Sequence, residues 1–244
     1  MNAATLPSPA LPALAWMDAS RHLLWALVLL YLLLQILRCM PPRWALRHPA
    51  RSPSRSTFAV AVALGLLTLW PGPVSPAYWL GLAFQSPSLL TGWLCGLALW
   101  RYGASAAWQA HLLPQSPGTV LGTAGPWPRH LCWLAVLAVL TGWLLLLDTL
   151  ALTHSLWPHS VYAWGFGASA LWLLLGLVAG LALLRYTRAA GSLLLLATGF
   201  ALARLPSGNL WDAVLDPWLW LWLHGALLRQ LWLWWRLRQG KGSR

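Results

Sequence analysis

Residues 131–150 read LCWLAVLAVLTGWLLLLDTL, and only one of these twenty residues, Asp148, is charged. A helix rises about 1.5 Å per residue, so this stretch would be about 30 Å long, which matches the hydrocarbon core of a bilayer. A water-soluble domain does not need an apolar run of this length. The stretch therefore predicts a transmembrane helix.

Six more apolar runs separate the polar loops of this 244-residue chain. The seven predicted spans are residues 22–37, 57–70, 87–101, 131–150, 168–185, 189–205 and 217–229. The second and sixth runs are short, so the alternative is six spans. Only 8% of the residues are charged and 59% are hydrophobic, whereas about a quarter are charged in soluble domains. We predict an all-α polytopic transmembrane helix bundle that forms a single integral membrane domain over residues 1–244.

The basic residues divide unequally between the two sides of the predicted bundle. Fourteen lie on one side, namely Arg38, Arg43, Arg47, Arg51, Arg55, Arg101, Arg129, Arg185, Arg188, Arg229, Arg236, Arg238, Lys241 and Arg244. The other side holds Arg21, Arg204 and the four acidic residues, which are Asp18, Asp148, Asp212 and Asp216. Because basic loops remain in the cytoplasm, the N-terminus is predicted outside and the C-terminus inside.

The formal charge of +12 does not indicate nucleic-acid binding, because the arginines lie between apolar runs and form no separate basic domain. The predicted partner of most of the chain is the lipid bilayer. The preference for Arg over Lys, with abundant Ala, Leu and Trp, suggests a GC-rich bacterial genome and hence a bacterial inner (cytoplasmic) membrane. Many of the 21 tryptophans lie near span ends, as in interfacial aromatic belts.

Three dipeptides predict helix starts on the outer side: Ser75-Pro76, Ser86-Pro87 and Asp216-Pro217. Each places an N-cap acceptor before a proline at the first helical position. Residues 76–84 are predicted to form a short helix before the third span.

An internal repeat is the most specific pattern in the chain. Residues 77–103 and residues 161–187 align without gaps, and eleven of the 27 aligned positions are identical. The matches include Tyr78 with Tyr162 and Gly81 with Gly165. We predict repeat units at residues 57–103 and 141–187, with a third, diverged unit at 189–229. The alternative is convergence of similar compositions on similar membrane positions.

Both strong copies carry glycines four residues apart, Gly92 and Gly96 in the first and Gly176 and Gly180 in the second. In lipid, such faces allow close helix approach and van der Waals contact. They are predicted to pack helices within the chain, with homo-oligomer formation as the alternative.

The outer segment 204–216, RLPSGNLWDAVLD, is the most polar stretch outside the basic loops. As a functional site, Arg204, Asp212 and Asp216 would handle protons or substrate charge. As a structural element, Asn209 would cap a short helix with Asp212 at its third position, and Asp216 would cap the seventh span. Asp148 is a candidate because an ionisable residue in an apolar span is costly, although it could also reach the outer surface.

His224 falls in the last predicted span and could ligate haem, relay protons or bond another helix. No second histidine lies at similar depth, so no haem or other cofactor is predicted. His22, His154 and His159 would lie together on the outer side, but their spacing does not predict a metal site. The cysteines, Cys39, Cys95 and Cys132, show no metal-like spacing either.

No HExxH, GxSxG or P-loop signature is present, which favours a non-enzymatic role without excluding an enzyme. The first functional hypothesis is a non-catalytic subunit or assembly factor of a membrane complex, with a membrane-protein partner or homo-oligomer. The second is a small proton-coupled transporter. The third is a lipid- or glycan-directed membrane enzyme with an outer-face site.

Overall fold

The computed structural model of the chain describes residues 13–39, 55–103, 127–152 and 160–239. Within these ranges the regular structure is entirely helical, as predicted, and contains no strand. The helices in chain order are α1 (Leu14–Cys39), α2 (Arg55–Leu69), α3 (Pro76–Ala83), α4 (Leu89–Gly103), α5 (Arg129–Thr149), α6 (Val161–Trp164), α7 (Ala168–Leu183), α8 (Thr187–Ala203), α9 (Leu210–Val214) and α10 (Pro217–Gln239).

The order of the helices after α1 is periodic. A long helix, a short helix and a second long helix follow one another as α2–α3–α4, then as α5–α6–α7, and then as α8–α9–α10. Each short helix begins after a polar N-cap side chain, contributed by Ser75, Ser160 and Asn209 in turn. The predicted repeat units, and a common origin for them, remain predictions.

Helix α4 contributes residues to three apolar clusters. One apolar cluster joins α1, α3 and α4 through Trp25, Val28, Ala77 and Cys95. A second joins α7, α8 and α9, and a third joins α5 and α10. Leu90 of α4 contacts both the second and the third cluster. The central position of α4 thus connects the three hairpins.

Two described helices contain stretches that are long and apolar enough to cross a bilayer, Leu14–Ile36 in α1 and Arg129–Thr149 in α5. Length and composition alone are weak evidence of a span, because a soluble core helix or a signal sequence can satisfy the same criteria. The apolar parts of α2, α4, α7 and α8 are shorter. The seven-span arrangement therefore remains a prediction.

The helices extend beyond the predicted spans at both ends of the chain. α1 begins at Leu14, eight residues before the first predicted span, and α10 continues to Gln239, ten residues past Arg229. Hydrophobicity locates the apolar part of a helix, whereas helical backbone hydrogen bonding continues through the polar turns that flank it.

One predicted cap was wrong. α4 begins at Leu89, and the side chain that accepts from its first turn is Ser88, whose Oγ lies 3.0 Å from the backbone N of Thr91. Ser86 was expected in this role because it precedes Pro87. The caps at Ser75 of α3 and Asp216 of α10 agree with the sequence.

The four predicted packing glycines differ in their surroundings. Gly92 lies against α1, where a Cβ atom would overlap the side chain of Leu24. Gly96, Gly176 and Gly180 have no atom of the described residues within 4 Å of where a Cβ atom would lie. On α7 the buried stripe is Ala170, Leu174, Val178 and Leu181, so the glycine pair lies on the opposite side of that helix.

Candidate functional site

Most of the buried polar side chains lie at one end of the bundle, where α2, α5 and α8 end and α4, α7 and α10 begin. We call this the carboxylate end, because Asp148, Asp212 and Asp216 all lie there. The opposite end, where α4, α7 and α10 terminate, is the basic end. The sequence predicted that these three carboxylates share one side, and the element order places them so.

Asp216 joins the first turns of two helices. Its Oδ1 accepts a hydrogen bond from the backbone N of Leu219 in α10 at 2.8 Å. Its Oδ2 accepts one from the backbone N of Ser88 at 2.7 Å and another from the Thr91 hydroxyl of α4. Only 5% of Asp216 is exposed. A negative charge at two helix N-termini is stabilised by both helix dipoles as well as by these donors.

Asp148, buried at the end of α5, organises the start of α6. Its Oδ2 accepts hydrogen bonds from the Ser160 hydroxyl at 2.7 Å and from the backbone N of Tyr162 at 2.9 Å. The Ser160 hydroxyl oxygen in turn accepts from the backbone N of Ala163. The carboxylate therefore holds the start of α6 against the end of α5, which accounts for an ionisable residue near the end of an apolar helix.

Asp212 lies at the third position of α9, with Asn209 as the N-cap, as the sequence predicted. Its Oδ2 accepts hydrogen bonds from the Tyr162 hydroxyl at 3.0 Å and from the Ser207 hydroxyl. Burial, followed by the Asp212 charge, raises the pKa of Tyr162 to about 12. Tyr162 thus remains a neutral donor at physiological pH.

The segment around α6 is also bonded to α9 through its backbone. The Asn209 side-chain amide donates to the Tyr162 carbonyl at 3.1 Å, and the Trp211 indole donates to the Val161 carbonyl at 3.0 Å. Gly165 lies so close to Asn209 that a Cβ atom would overlap the amide oxygen. The matching glycine of the first repeat, Gly81, lies against Arg21, whose Cδ would be 2.6 Å from a Cβ atom. Both repeated glycines therefore allow close approach at the carboxylate end.

Arg204 ends α8 in the left-handed conformation, with φ of 54°. Its guanidinium lies 5.5 Å from the centre of the Phe200 ring, and its Nη1 is 3.5 Å from the Phe166 carbonyl. These contacts place Arg204 at the edge of the carboxylate end, beside the apolar cluster of α7, α8 and α9.

His224 lies apart from the carboxylates, between α5 and α10. Its Nδ1 is 2.8 Å from the Trp220 carbonyl, which can only accept, so Nδ1 carries the proton. Its Nε2 accepts a hydrogen bond from the Trp143 indole at 3.2 Å. Because both ring nitrogens are engaged, a ligand role for His224 would require displacement of Trp143.

His22 forms a junction that the sequence did not predict. Its Nδ1 lies 2.8 Å from the Thr68 carbonyl at the end of α2, and the Ser75 hydroxyl donates to the same carbonyl at 2.7 Å. His154 and His159, which were expected near His22 on the outer side, lie outside the described residues. Among the described residues, no group of three or more His, Cys, Asp or Glu side chains could hold a metal ion.

Several contributors were not predicted, notably Tyr162, Thr91 and Ser160. Two sequence features point to two of them: the tyrosine and glycine matches of the repeat, which include Tyr162, and the position of Ser160 directly before α6. The predicted candidates Asp148 and Asp212 are linked through neighbouring donors on α6, namely Ser160 and Tyr162. Asp216 belongs to a separate junction, and His224 to a third.

The aspartates of the carboxylate end can stabilise helix starts, because they accept hydrogen bonds from backbone N–H groups and hydroxyls. Each of the three acids receives at least two hydrogen bonds from neighbouring segments of the chain.

The chain matches no protein-family model, and it shows no similarity to a curated protein or to a solved structure.

Proposed function

We propose that this chain is a multi-pass protein of a bacterial inner membrane and acts as a non-catalytic subunit or assembly factor of a membrane complex. Seven helices, α1, α2, α4, α5, α7, α8 and α10, would cross the bilayer, with the basic end in the cytoplasm. The observation that carries the proposal is that all three carboxylates of the carboxylate end bind helix starts and loop hydroxyls.

The exposed surface of α5 supports the membrane part of the proposal. Of the 21 residues of this apolar helix, only Ala135 and Asp148 are buried. Trp133, Leu137, Leu140 and Leu144 are all exposed. A soluble protein would bury such a helix as core, whereas a lipid-facing helix leaves it uncovered. The arginine distribution supports the orientation.

The state of the polar groups supports a structural role over an enzymatic one. A catalytic acid must donate a proton to a substrate within hydrogen-bonding distance, and a catalytic base must accept one from it. Here Asp148 and Asp216 are buried and bonded to backbone N–H groups of their own chain. Removing them from those partners would cost α10 its N-terminal cap and would free the start of α6 from Asp148.

Purification of the intact chain tests the proposal. The tagged chain is expressed at its native level and extracted in mild detergent. It is expected to copurify with one other membrane protein in a fixed ratio. The Asp212→Asn variant, at matched protein level, is expected to keep that partner and the cellular phenotype of the wild type. A free, partnerless chain whose phenotype disappears in single Asp→Asn variants would contradict the proposal.

One observation favours the second candidate, a small proton-coupled transporter. Asp216 is buried between α4 and α10, which belong to different hairpins, so any change in its hydrogen bonds would affect the starts of both helices. Proteoliposomes with an imposed pH gradient discriminate between the two candidates. A substrate flux that is lost in Asp216→Asn and kept in Asp18→Asn favours the transporter, and no flux in wild type favours the subunit.

A further inference from the structure

The C-terminal part of α10 projects beyond the other described helices at the basic end. The Gln230 side-chain oxygen accepts a hydrogen bond from the backbone N of Trp127 at 2.9 Å, which places Gln230 level with the start of α5. Helix α10 then continues through residues 231–239. At 1.5 Å per residue, this projection is about 13 Å long.

The projection is apolar and basic at the same time. Every residue of it except Leu233 is exposed. Its surface carries three tryptophans, two leucines and two arginines, namely Trp232, Trp234, Trp235, Leu231, Leu237, Arg236 and Arg238. In water alone, three neighbouring exposed indoles would be unfavourable, but the indole ring is well suited to the headgroup region of a bilayer.

The two arginines of the projection lie over tryptophan rings. The guanidinium carbon of Arg236 lies 3.9 Å from the centre of the Trp232 ring, and that of Arg238 lies 3.6 Å from the Trp234 ring. A cation–π contact with an indole leaves the N–H groups of a guanidinium available for an oxyanion, which arginine binds through two parallel hydrogen bonds.

Charge determines what fits this surface. The acidic residues nearest in sequence are Asp212 in α9 and Asp216 at the start of α10, and the sequence adds Lys241 and Arg244 after the projection. Helix α10 has 23 residues, so Asp216 is about 30 Å or more from Arg238. The projection is therefore a positive surface far from these two aspartates, and phosphate is the complementary group.

We infer that residues 231–239 form a docking surface for anionic phospholipid headgroups of the cytoplasmic leaflet. The indoles of Trp232, Trp234 and Trp235 lie in the headgroup region, and Arg236 and Arg238 bind lipid phosphates. The headgroup region of each leaflet is about 5–8 Å deep, so a 13 Å projection crosses it. The inference depends on the proposed membrane arrangement, with the basic end facing the cytoplasm.

A fluorophore that brightens in apolar surroundings tests this surface. It is attached to a single cysteine at Leu237 in a variant whose native cysteines are replaced by serine. The full chain is reconstituted in phosphatidylcholine vesicles with or without phosphatidylglycerol. Emission is expected to rise with phosphatidylglycerol, to fall back in high salt, and to lose its dependence on lipid charge in Arg236→Gln/Arg238→Gln. Arg236→Lys/Arg238→Lys keeps the charge and is expected to retain part of the response.

A second label at Leu137, on the exposed face of α5, separates the two ways of failing. If the Leu137 label is bright in both vesicles and the Leu237 label ignores lipid charge, the docking inference is overturned alone. If the Leu137 label is dim, the proposed membrane arrangement is contradicted, and the docking inference, which depends on it, is contradicted as well. If the Leu237 label stays bright in Arg236→Gln/Arg238→Gln, the inference is also overturned, and a protein partner or a second copy of the chain covers this surface instead.

Discussion

The carboxylate of Asp216 accepts a hydrogen bond from the backbone N of Ser88, at 2.7 Å across 128 positions of the chain. The same side chain caps its own helix at Leu219, so one residue fixes the starts of α4 and α10 together. This junction ties the first predicted repeat unit to the third, at the end where the short helices lie.

Replacing Asp216 should weaken the fold. In Asp216→Asn the amide nitrogen faces either the Ser88 or the Leu219 N–H, so a buried donor loses its acceptor. The expected loss is about 1–3 kcal/mol, measured as thermal unfolding in detergent. Asp18→Asn is the matched control, because Asp18 is half-exposed and pairs with Arg21 on the surface. Equal unfolding temperatures of the two variants would contradict the structural role of Asp216.

The glycine faces give a second stability test. Gly92→Leu should destabilise the chain by about 1–3 kcal/mol, because the new side chain overlaps Leu24 of α1. Gly176→Leu is expected to be neutral or slightly stabilising, since open space surrounds this glycine among the described residues and leucine is the better helix former. Chemical unfolding of both variants is the measurement, and a reversed order would show that the α1–α4 contact is misplaced.

Tyr162 predicts a pH dependence at high pH. Its folded-state pKa is raised to about 12, above the ordinary value of 10.0, so the unfolded chain loses this proton first as the pH rises. The stability difference between wild type and Tyr162→Phe is therefore full below pH 10 and is lost as the pH approaches 12. Unfolding midpoints across this window measure the difference. If the stability difference between wild type and Tyr162→Phe grew as the pH rises, the Tyr162–Asp212 hydrogen bond would be contradicted.

His224 should be neutral with its proton on Nδ1. The Trp220 carbonyl accepts from Nδ1, and Nε2 accepts from the Trp143 indole. Nitrogen-15 NMR of labelled histidine is expected to show this tautomer, with the Nε2 resonance moving in Trp143→Phe while Nδ1 stays. A proton on Nε2 in the wild type would show that the assigned contacts between α5 and α10 are wrong.

The sequence predicted the helical class, the cap of α9 and the cap of α10, because these depend on local patterns. Asn209 and Asp216 stand where capping chemistry requires them, and the predicted short helix at 76–84 is α3, Pro76–Ala83. What the sequence could not give are contacts across distant segments. The bonds of Ser88 with Asp216, of Tyr162 with Asp212 and of His22 with Thr68 depend on how helices are arranged, and no local spacing encodes that.

The glycine prediction shows the same limit. A glycine pair four residues apart predicts that a helix can approach closely, not which helix does so. Leu24 of α1 lies against Gly92, whereas α7 buries Leu174 and Val178 on the side away from Gly176. The spacing alone could not distinguish these two cases.

Labelling of single cysteines in intact cells tests the central claim that the helices cross a bilayer with the basic end inside. In a variant without native cysteines, a membrane-impermeant maleimide is applied to cysteines at Val74 and Leu152 of the carboxylate end, and at Leu184 and Ser243 on the basic side. The account predicts that Val74 and Leu152 react in intact cells, and that Leu184 and Ser243 react only after permeabilisation. Reaction of Leu184 and Val74 from the same side would contradict it.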